Sequence, residues 1–208
     1  MTHSIAIAAI VLAGGLSARM GQDKALISLG TETLLQHTCQ VALACAHPVY
    51  VVTPWPDRYQ ADLPPGVNVI PEVPLPGESA TFHGPLVGFT QGLEVLAQLP
   101  ATAQPAWVLV LACDLPNLTL AALQPWIGDL TTLAPGILAY LPKRQGRWEP
   151  LCGFYRLRCI ESLQTFIAAG GRSFQRWCAQ SPVAQIELQD ETLLVNLNTP
   201  QDLAQWQR

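Results

Sequence analysis

Uniformly apolar runs alternate with segments of helical periodicity along the whole chain. Residues 5–12 are apolar at every position, a pattern typical of a strand buried on both faces. Residues 33–46 instead carry apolar side chains at helical spacing, and Pro48 follows shortly after. The pattern predicts strands over residues 5–12, 49–53, 67–70, 108–113, 137–141, 151–156 and 183–188. It predicts helices over residues 33–46, 85–98, 118–127, 159–169, 173–179 and 200–206.

This alternation of strands and helices predicts an α/β fold. Because strand–helix–strand units generate parallel sheets with helices on both faces, we expect a single Rossmann-like, three-layer domain over residues 1–208. The two strands predicted within residues 137–156 flank a short turn and are expected to pair in the antiparallel sense. The sheet is therefore predicted to be mostly parallel but mixed.

The composition limits what the chain can bind. Charged residues make up 12% of the 208 residues and hydrophobic residues 50%, so a packed core is expected rather than disorder. With a net charge of -4, the chain offers no broad basic face to nucleic acid, and an anionic ligand needs a few well-placed cations. The six cysteines include no C-x-x-C pair, which favours buried thiols over a disulfide or zinc framework.

No membrane segment is predicted. The first apolar run is shorter than the roughly 20 residues that a membrane-spanning helix needs. No positively charged segment precedes that run, as a secretory signal would require. We therefore predict a cytoplasmic protein that binds neither a membrane nor nucleic acid.

Glycines and two cations follow the first predicted strand in one loop. Residues 12–24 have the sequence L-A-G-G-L-S-A-R-M-G-Q-D-K. Glycine allows close backbone approach, so successive N–H groups can face an anion while Arg19 and Lys24 supply positive charge. The spacing fits neither a dinucleotide fingerprint nor a Walker A motif, because Ser17 occupies a required glycine position and Ala25 follows Lys24. We interpret the loop as a phosphate cradle; the alternative is a tight turn with both cations solvated.

Asp114 follows the buried strand predicted over residues 108–113. Ligands of open α/β sheets bind outside the carboxyl ends of the strands, where both this carboxylate and the glycine loop are expected. Mg²⁺ is usually held by one or two carboxylates together with substrate phosphates, so Asp114 is a candidate metal ligand. The alternative is an Asp that only caps the turn before the next helix.

With two further motifs, these segments resemble the molybdenum cofactor guanylyltransferase family. In chain order the motifs are L-A-G-G-x-S-x-R-M-G-x-D-K, G-P-L-x-G at residues 84–88, C-D-x-P at residues 113–116 and N-x-N-T-P at residues 196–200. The first motif is shared in looser form by many nucleotidyltransferases. The ordered set, which covers nearly the whole chain, indicates the molybdenum branch.

The resemblance implies that GMP is transferred from GTP to molybdopterin carrying molybdenum, with Mg²⁺ required and pyrophosphate released. Residues 1–120 would form the nucleotide-binding half and residues 121–208 the acceptor-binding half. The implied catalytic residues are Arg19 and Lys24, which stabilise the departing phosphates, and Asp114, which holds the metal. The implied nucleotide-binding residues are Leu12, Ala13, Gly14, Gly15, Lys24, Thr53, Glu72 and Asp114.

Two of these positions depart from the family pattern. Thr53 stands where similar proteins carry Asn, and Glu72 stands where Asp is common. Thr53 keeps a hydrogen-bonding group, and the Glu72 carboxylate can accept from the N1–H and exocyclic amine of guanine. The choice between guanine and cytosine therefore stays open at these positions.

The acceptor side follows from the same resemblance. The implied acceptor-binding residues are Gly84, Arg172, Asn196 and Asn198. Helix capping is the alternative role at the last motif, because Thr199 and Pro200 suit an N-cap and a first helical position. For Lys143, Arg144 and Arg147 two interpretations stay open, contact with the molybdopterin phosphate or a solvated hairpin tip.

Two other functions fit the same motifs. A nucleotidyltransferase for another nucleotide or acceptor, such as CTP with molybdopterin, would use the same kind of site. A non-catalytic, nucleotide-dependent protein that delivers the cofactor belongs to a different class and would release no pyrophosphate. The implied partners are GTP and molybdopterin, with molybdoenzymes or other cofactor-biosynthesis proteins as further candidates.

Overall fold

The computed structural model describes residues 5–15, 23–77 and 84–206, and their strands form one mixed sheet. The strands are β1 (Ile7–Leu12), β2 (Val49–Thr53), β3 (Val67–Pro71), β4 (Trp107–Ala112), β5 (Ala139–Arg144), β6 (Arg147–Trp148), β7 (Cys152–Arg156) and β8 (Val183–Ile186). Their order is β3-β2-β1-β4-β7-β5-β6, and β8 pairs with β5. The first four are parallel, whereas β7 runs antiparallel to both β4 and β5. The predicted mixed and mostly parallel sheet is confirmed.

Helices cover both faces of this sheet. They are α1 (Leu34–Leu43), α2 (Pro56–Tyr59), α3 (Pro85–Ala97), α4 (Leu120–Asp129), α5 (Ile160–Ala168), α6 (Phe174–Ala179) and α7 (Pro200–Trp206). Ala9 and Val11 of β1 pack in the core that includes α1 and α4, while Ala8 and Ile10 pack in the core of α3, α5 and α6. Burial on both faces explains why β1 is uniformly apolar, and the predicted three-layer α/β fold is confirmed. Among the described residues, no helix has both the length and the apolar composition of a membrane span.

Two short elements differ from the sequence-based prediction. Helix α2 has only four residues, too few to show helical periodicity. Strand β6 begins at the last residue of the turn predicted over residues 143–147, where Arg147 pairs with Arg144 and Gln145 adopts a φ of 51° at the tip. The segment that was predicted as a turn is therefore a tight hairpin.

The close approach of α3 to the sheet depends on Gly92. A Cβ added there would lie 2.7 Å from Ile10 Cδ1 and 3.2 Å from Val52 Cγ2, and both of these side chains are buried. We expect Gly92→Ala to lower the free energy of unfolding by about 1–2 kcal/mol, because overpacking outweighs the gain in helix propensity. The drop is measured by urea unfolding.

Gly128 in α4 provides the matched control. A Cβ at this exposed position would meet no atom within 4 Å. Gly128→Ala is therefore expected to raise the free energy of unfolding, by up to about 1 kcal/mol. Equal shifts in the two variants would contradict the close packing of α3.

Buried thiols predict a loss of stability at alkaline pH. All six cysteines are free, and burial raises the pKa of the Cys39 and Cys178 thiols to about 12. The folded state keeps these protons while the unfolded state loses them, so the stabilisation is complete below the unfolded-state pKa and is lost as pH rises towards the folded-state pKa. Each such thiol lowers the free energy of unfolding by about 1.4 kcal/mol per pH unit over that window.

Urea unfolding at about pH 7.5 and about pH 10 measures this drop. Cys39→Ala removes one thiol that ionises only in the unfolded state, so the drop between the two pH values is expected to shrink by about 1.4 kcal/mol. The comparison is between the two pH values for each protein, so the cavity left by the substitution cancels to first order. A drop of unchanged size would show that the thiol contributes nothing to the pH dependence.

Candidate functional site

A cavity of about 320 Å³ opens at the carboxyl ends of β1 and β4. Ligands of open α/β sheets bind at this edge. The predicted nucleotide-binding residues that line the cavity are Leu12, Ala13, Gly14, Gly15, Lys24, Glu72 and Asp114. Gly84 and Asn198, predicted to bind the acceptor, line the same cavity. The structure thus brings together residues that lie far apart in the chain.

Lys24 is held between two side chains at the centre of this site. Its Nζ donates to Asn198 Oδ1 at 2.6 Å and lies 3.4 Å from Asp114 Oδ2. The Lys24 and Asp114 side chains are 18% and 16% exposed, so solvent screens their charges less than on an open surface. A 3-10 turn, Lys24–Leu26, fixes the backbone of the lysine. The ammonium group is therefore presented to the cavity from a defined position.

Asp114 is anchored through both its carboxylate and its backbone. Asn196 Nδ2 donates to Asp114 Oδ1 at 3.1 Å, and the Leu197 N–H donates to the Asp114 carbonyl at 3.1 Å. The other carboxylate oxygen, Oδ2, lies beside Lys24. The described residues contain no group of three or more His, Cys, Asp or Glu side chains that could hold a metal ion, so a cation at Asp114 would take its other ligands from water and phosphate oxygens. Mg²⁺ fits this donor set, because it usually combines one or two carboxylates with substrate phosphates.

The last motif both caps α7 and builds the site. Asp202 Oδ2 accepts from the N–H groups of Asn198 and Thr199, each at 2.8 Å, and Thr199 Oγ1 accepts from the Asp202 N–H. The Asn198 N–H in particular holds the pKa of Asp202 below its ordinary value. These bonds fix the backbone of Asn198 while its side chain reaches Lys24. The two interpretations of this motif are therefore compatible.

Glu72 and Thr53 occupy different positions relative to the cavity. Glu72 lines it, and a Cβ added at Gly88 of α3 would lie 3.2 Å from Glu72 Oε2, so the glycine makes room for this carboxylate. Thr53 is fully buried and does not line the cavity. Its Oγ1 accepts from the Trp55 N–H at 3.1 Å, and its carbonyl accepts from the Glu72 N–H at 2.8 Å. Thr53 therefore supports Glu72 through the backbone.

A second cavity, of about 380 Å³, adjoins the first. The two share Ala112 and Leu151 as lining residues. Asn196 lines the second cavity, as do Arg144 and Arg147 of the hairpin. Arg144 also donates to Glu149 Oε1 at 3.1 Å and to the Leu194 carbonyl at 2.8 Å, so its side chain is not freely solvated.

The remaining predicted residues lie elsewhere. Arg172 donates to the carbonyls of Ile167 and Gly171, each at 2.9 Å, and lines neither cavity. Lys143 Nζ lies 4.0 Å from the centre of the Trp148 ring and also lines neither. Arg19 lies outside the described residues. Their predicted roles stay predictions.

Three lining residues of the first cavity that carry an ionisable side chain were not predicted, namely Asp23, Tyr59 and Cys113. Burial, and after it the neighbouring Asp114, raises the pKa of the Cys113 thiol well above its ordinary value. A thiol that stays protonated is a poor nucleophile, so we assign Cys113 a structural role in lining the cavity. Asp23 could have been noticed beside Lys24 in the first motif. Tyr59, 36 residues farther along the chain, carried no such signal.

Comparisons with known proteins show a matching family and a shared fold. Residues 9–185 match the family described as "MobA-like NTP transferase domain". A protein of Nostoc sp. named "Probable molybdenum cofactor guanylyltransferase" is 48% identical over 95% of this chain and 89% of its own length. A protein of the same name from Synechococcus elongatus is 40% identical over 96% of each chain. The crystal structure of molybdopterin-guanine dinucleotide biosynthesis protein A from Archaeoglobus fulgidus shares the fold, with a TM-score of 0.73, 19% identity and 95% of each chain covered.

The Lys24–Asn198 contact leads to a prediction about charge. Asn198→Asp would place a second carboxylate on Lys24, which would then be shared between two anions and less available to a phosphate. We expect affinity for GTP with Mg²⁺ to fall more than tenfold in Asn198→Asp, and by only a few-fold in Asn198→Ala. Isothermal titration calorimetry measures both.

Asn117→Asp is the matched control, because the Asn117 side chain also makes a long-range hydrogen bond but lines neither cavity. Its Oδ1 accepts from Trp206 Nε1 at 2.7 Å, and its Nδ2 donates to the Thr192 carbonyl at 2.9 Å. This variant is expected to bind GTP as the wild type does. If Asn198→Asp bound as tightly as Asn198→Ala, the electrostatic role of the contact would be wrong.

Proposed function

We propose that this chain, which belongs to the MobA-like NTP transferase family, transfers GMP from GTP to molybdopterin carrying molybdenum and releases pyrophosphate. An oxygen of the acceptor's phosphate forms the new bond to the α-phosphorus of GTP. The bond from that phosphorus to the pyrophosphate oxygen breaks. Because two anions must meet, the protein contributes positioning and charge neutralisation, and no protein nucleophile takes part.

The proposal rests above all on the placement of Lys24 beside Asp114 in a cavity lined by the glycine loop. Lys24 Nζ and Asp114 Oδ2 are 3.4 Å apart, and Gly14 and Gly15 line the same space. A triphosphate with its metal needs a cation, a carboxylate and backbone donors within one small site. The cavity of about 320 Å³ falls within the range of small-molecule sites.

Each residue has a distinct role on the donor side. Gly14 and Gly15 allow the backbone to approach the phosphates, and Lys24 exchanges Asn198 for a phosphate oxygen and stabilises the departing pyrophosphate. Asp114 would hold Mg²⁺ together with the phosphate oxygens, and the bound ion supplies further positive charge there. Arg19, outside the described residues, is proposed as the second cation of the phosphate loop.

Glu72 is proposed to select the base. Its carboxylate lines the cavity and can accept from both the N1–H and the exocyclic amine of guanine. Cytosine offers no such adjacent pair of donors. Thr53 contributes indirectly, because its carbonyl accepts from the Glu72 N–H.

The acceptor is proposed to lie across the two adjoining cavities. Asn196 lines the second cavity and donates to Asp114, so it can link the acceptor to the metal ligand. Gly84 and Asn198 would contact the acceptor from the first cavity. Arg172 would have to leave its two backbone carbonyls to take part. In this arrangement residues 1–120 serve the nucleotide and residues 121–208 mainly serve the acceptor.

A pyrophosphate-release assay tests the proposal. The purified chain is incubated with Mg²⁺, molybdenum-loaded molybdopterin and GTP, CTP or ATP in separate reactions. Release is expected with GTP only when the acceptor is present. Pyrophosphate release with CTP but not with GTP would overturn the choice of base. Nucleotide binding without pyrophosphate release would favour a delivery protein.

Two matched variants keep the test specific. Asp114→Asn preserves an acceptor for Asn196 but removes the charge, so turnover is expected to fall by about 10²–10³-fold. Asp129→Asn changes a carboxylate that accepts from Tyr140 OH and lines neither cavity, and turnover is expected to be unchanged. Near-normal turnover in Asp114→Asn would remove the metal role.

A further inference from the structure

From the contacts of Asp23, we infer that Arg58 and Tyr59 are positioning residues that hold Lys24 in place through Asp23. We call these three partners, Asp23, Arg58 and Tyr59, the Asp23 brace. The inference rests on the proposed function, since Lys24 is taken to bind the triphosphate. It assigns a task to α2, an element that none of the sequence motifs includes.

The brace occupies both oxygens of the Asp23 carboxylate. Oδ2 accepts from Tyr59 OH at 2.7 Å and from Arg58 Nη1 at 2.9 Å. Oδ1 accepts from the Ala25 N–H at 3.1 Å and thereby caps the 3-10 turn that begins at Lys24. The residue before Lys24 is therefore tied to α2 on one side and to the lysine's own turn on the other.

The far end of the brace is firmly anchored. Tyr59 is 1% exposed and lines the first cavity, so its ring has little freedom to move. Arg58 Cζ lies 4.6 Å from the centre of the Trp55 ring, and the Trp55 N–H donates to Thr53 Oγ1. Because the Thr53 carbonyl also accepts from the Glu72 N–H, one set of contacts joins the loop after β2 to Lys24 and to Glu72.

The brace also removes an electrostatic obstacle. The cavity is lined by three carboxylates, of Asp23, Glu72 and Asp114, and a triphosphate has to enter beside them. Arg58 compensates the charge of Asp23 through an ion pair, and Tyr59 donates a second hydrogen bond to the same oxygen. Burial, and then the bond to Asp23, raises the pKa of Tyr59, so the phenol keeps its proton and stays a donor. Asp23 can thus cap the turn that begins at Lys24 without repelling the triphosphate.

A double-mutant cycle on GTP affinity separates positioning from general stability. Tyr59→Phe removes only the hydroxyl, and we expect it to weaken binding of GTP with Mg²⁺ roughly tenfold. In a Lys24→Ala background the same change should weaken binding less than twofold, because the brace acts through Lys24. Isothermal titration calorimetry of the four proteins gives the coupling.

Tyr140→Phe is the matched control. Tyr140 OH donates to Asp129 Oδ2 at 2.8 Å, the same kind of bond in a place that lines neither cavity. Both Tyr→Phe variants should lose similar thermal stability, but only Tyr59→Phe should lose affinity. Should Tyr59→Phe fail to fold, Arg58→Ala replaces it, because the Arg58 side chain is 46% exposed and its loss leaves the core intact. The uncompensated charge of Asp23 weakens binding in both Lys24 backgrounds, so the brace predicts a larger loss when Lys24 is present.

The outcomes divide clearly. Unchanged affinity in Tyr59→Phe and Arg58→Ala, or an equal loss in both Lys24 backgrounds, overturns the brace while leaving the proposed function untouched. In another outcome the wild type binds GTP and the four proteins show the coupling, while the wild type releases no pyrophosphate with the acceptor. That result supports the brace and overturns the transfer reaction. A wild type that binds no GTP overturns both.

Discussion

The hydrogen bond from Lys24 Nζ to Asn198 Oδ1 joins two distant segments of the chain at the first cavity. The two residues are 174 positions apart, and the bond is 2.6 Å long. Asp114 lies 3.4 Å from the same ammonium, so charges of both signs are held in a partly buried place where solvent screens them weakly. Removing either Lys24 or Asp114 leaves the charge of the other less well compensated. Gly14 and Gly15 line the same cavity, and Asp23 caps the turn that begins at Lys24.

The sheet makes the contact possible, and this part of the architecture could be predicted from the sequence. Residues 5–12 are apolar throughout because β1 is buried on both faces, and β1 and β4 are parallel neighbours that end at the same edge. A loop that follows β1 and a carboxylate that follows β4 therefore both lie at this edge. Lys24 and Asp114 could therefore be placed together from their positions after two buried strands.

Side-chain partners over long separations could not be predicted in this way. The bond from Tyr59 to Asp23 depends on how α2, a helix too short to show helical periodicity, packs beside Asp23. Thr53 has the chemistry of a ligand contact, but its hydroxyl is used by the backbone of the following turn. At the last motif, capping by Thr199 and the bond from Lys24 to Asn198 are two uses of one turn, which a linear pattern presents as alternatives.

The central claim is that Lys24 and Asp114 together form the phosphate and metal centre. A crystal structure with Mg²⁺ and a GTP analogue that cannot be cleaved between the α- and β-phosphates tests it most directly. The account predicts Lys24 Nζ within hydrogen-bond distance of a phosphate oxygen, Asp114 Oδ2 on the metal and Asn198 no longer bonded to the lysine. A triphosphate bound elsewhere, with Lys24 still on Asn198 and Asp114 free of metal, would contradict it.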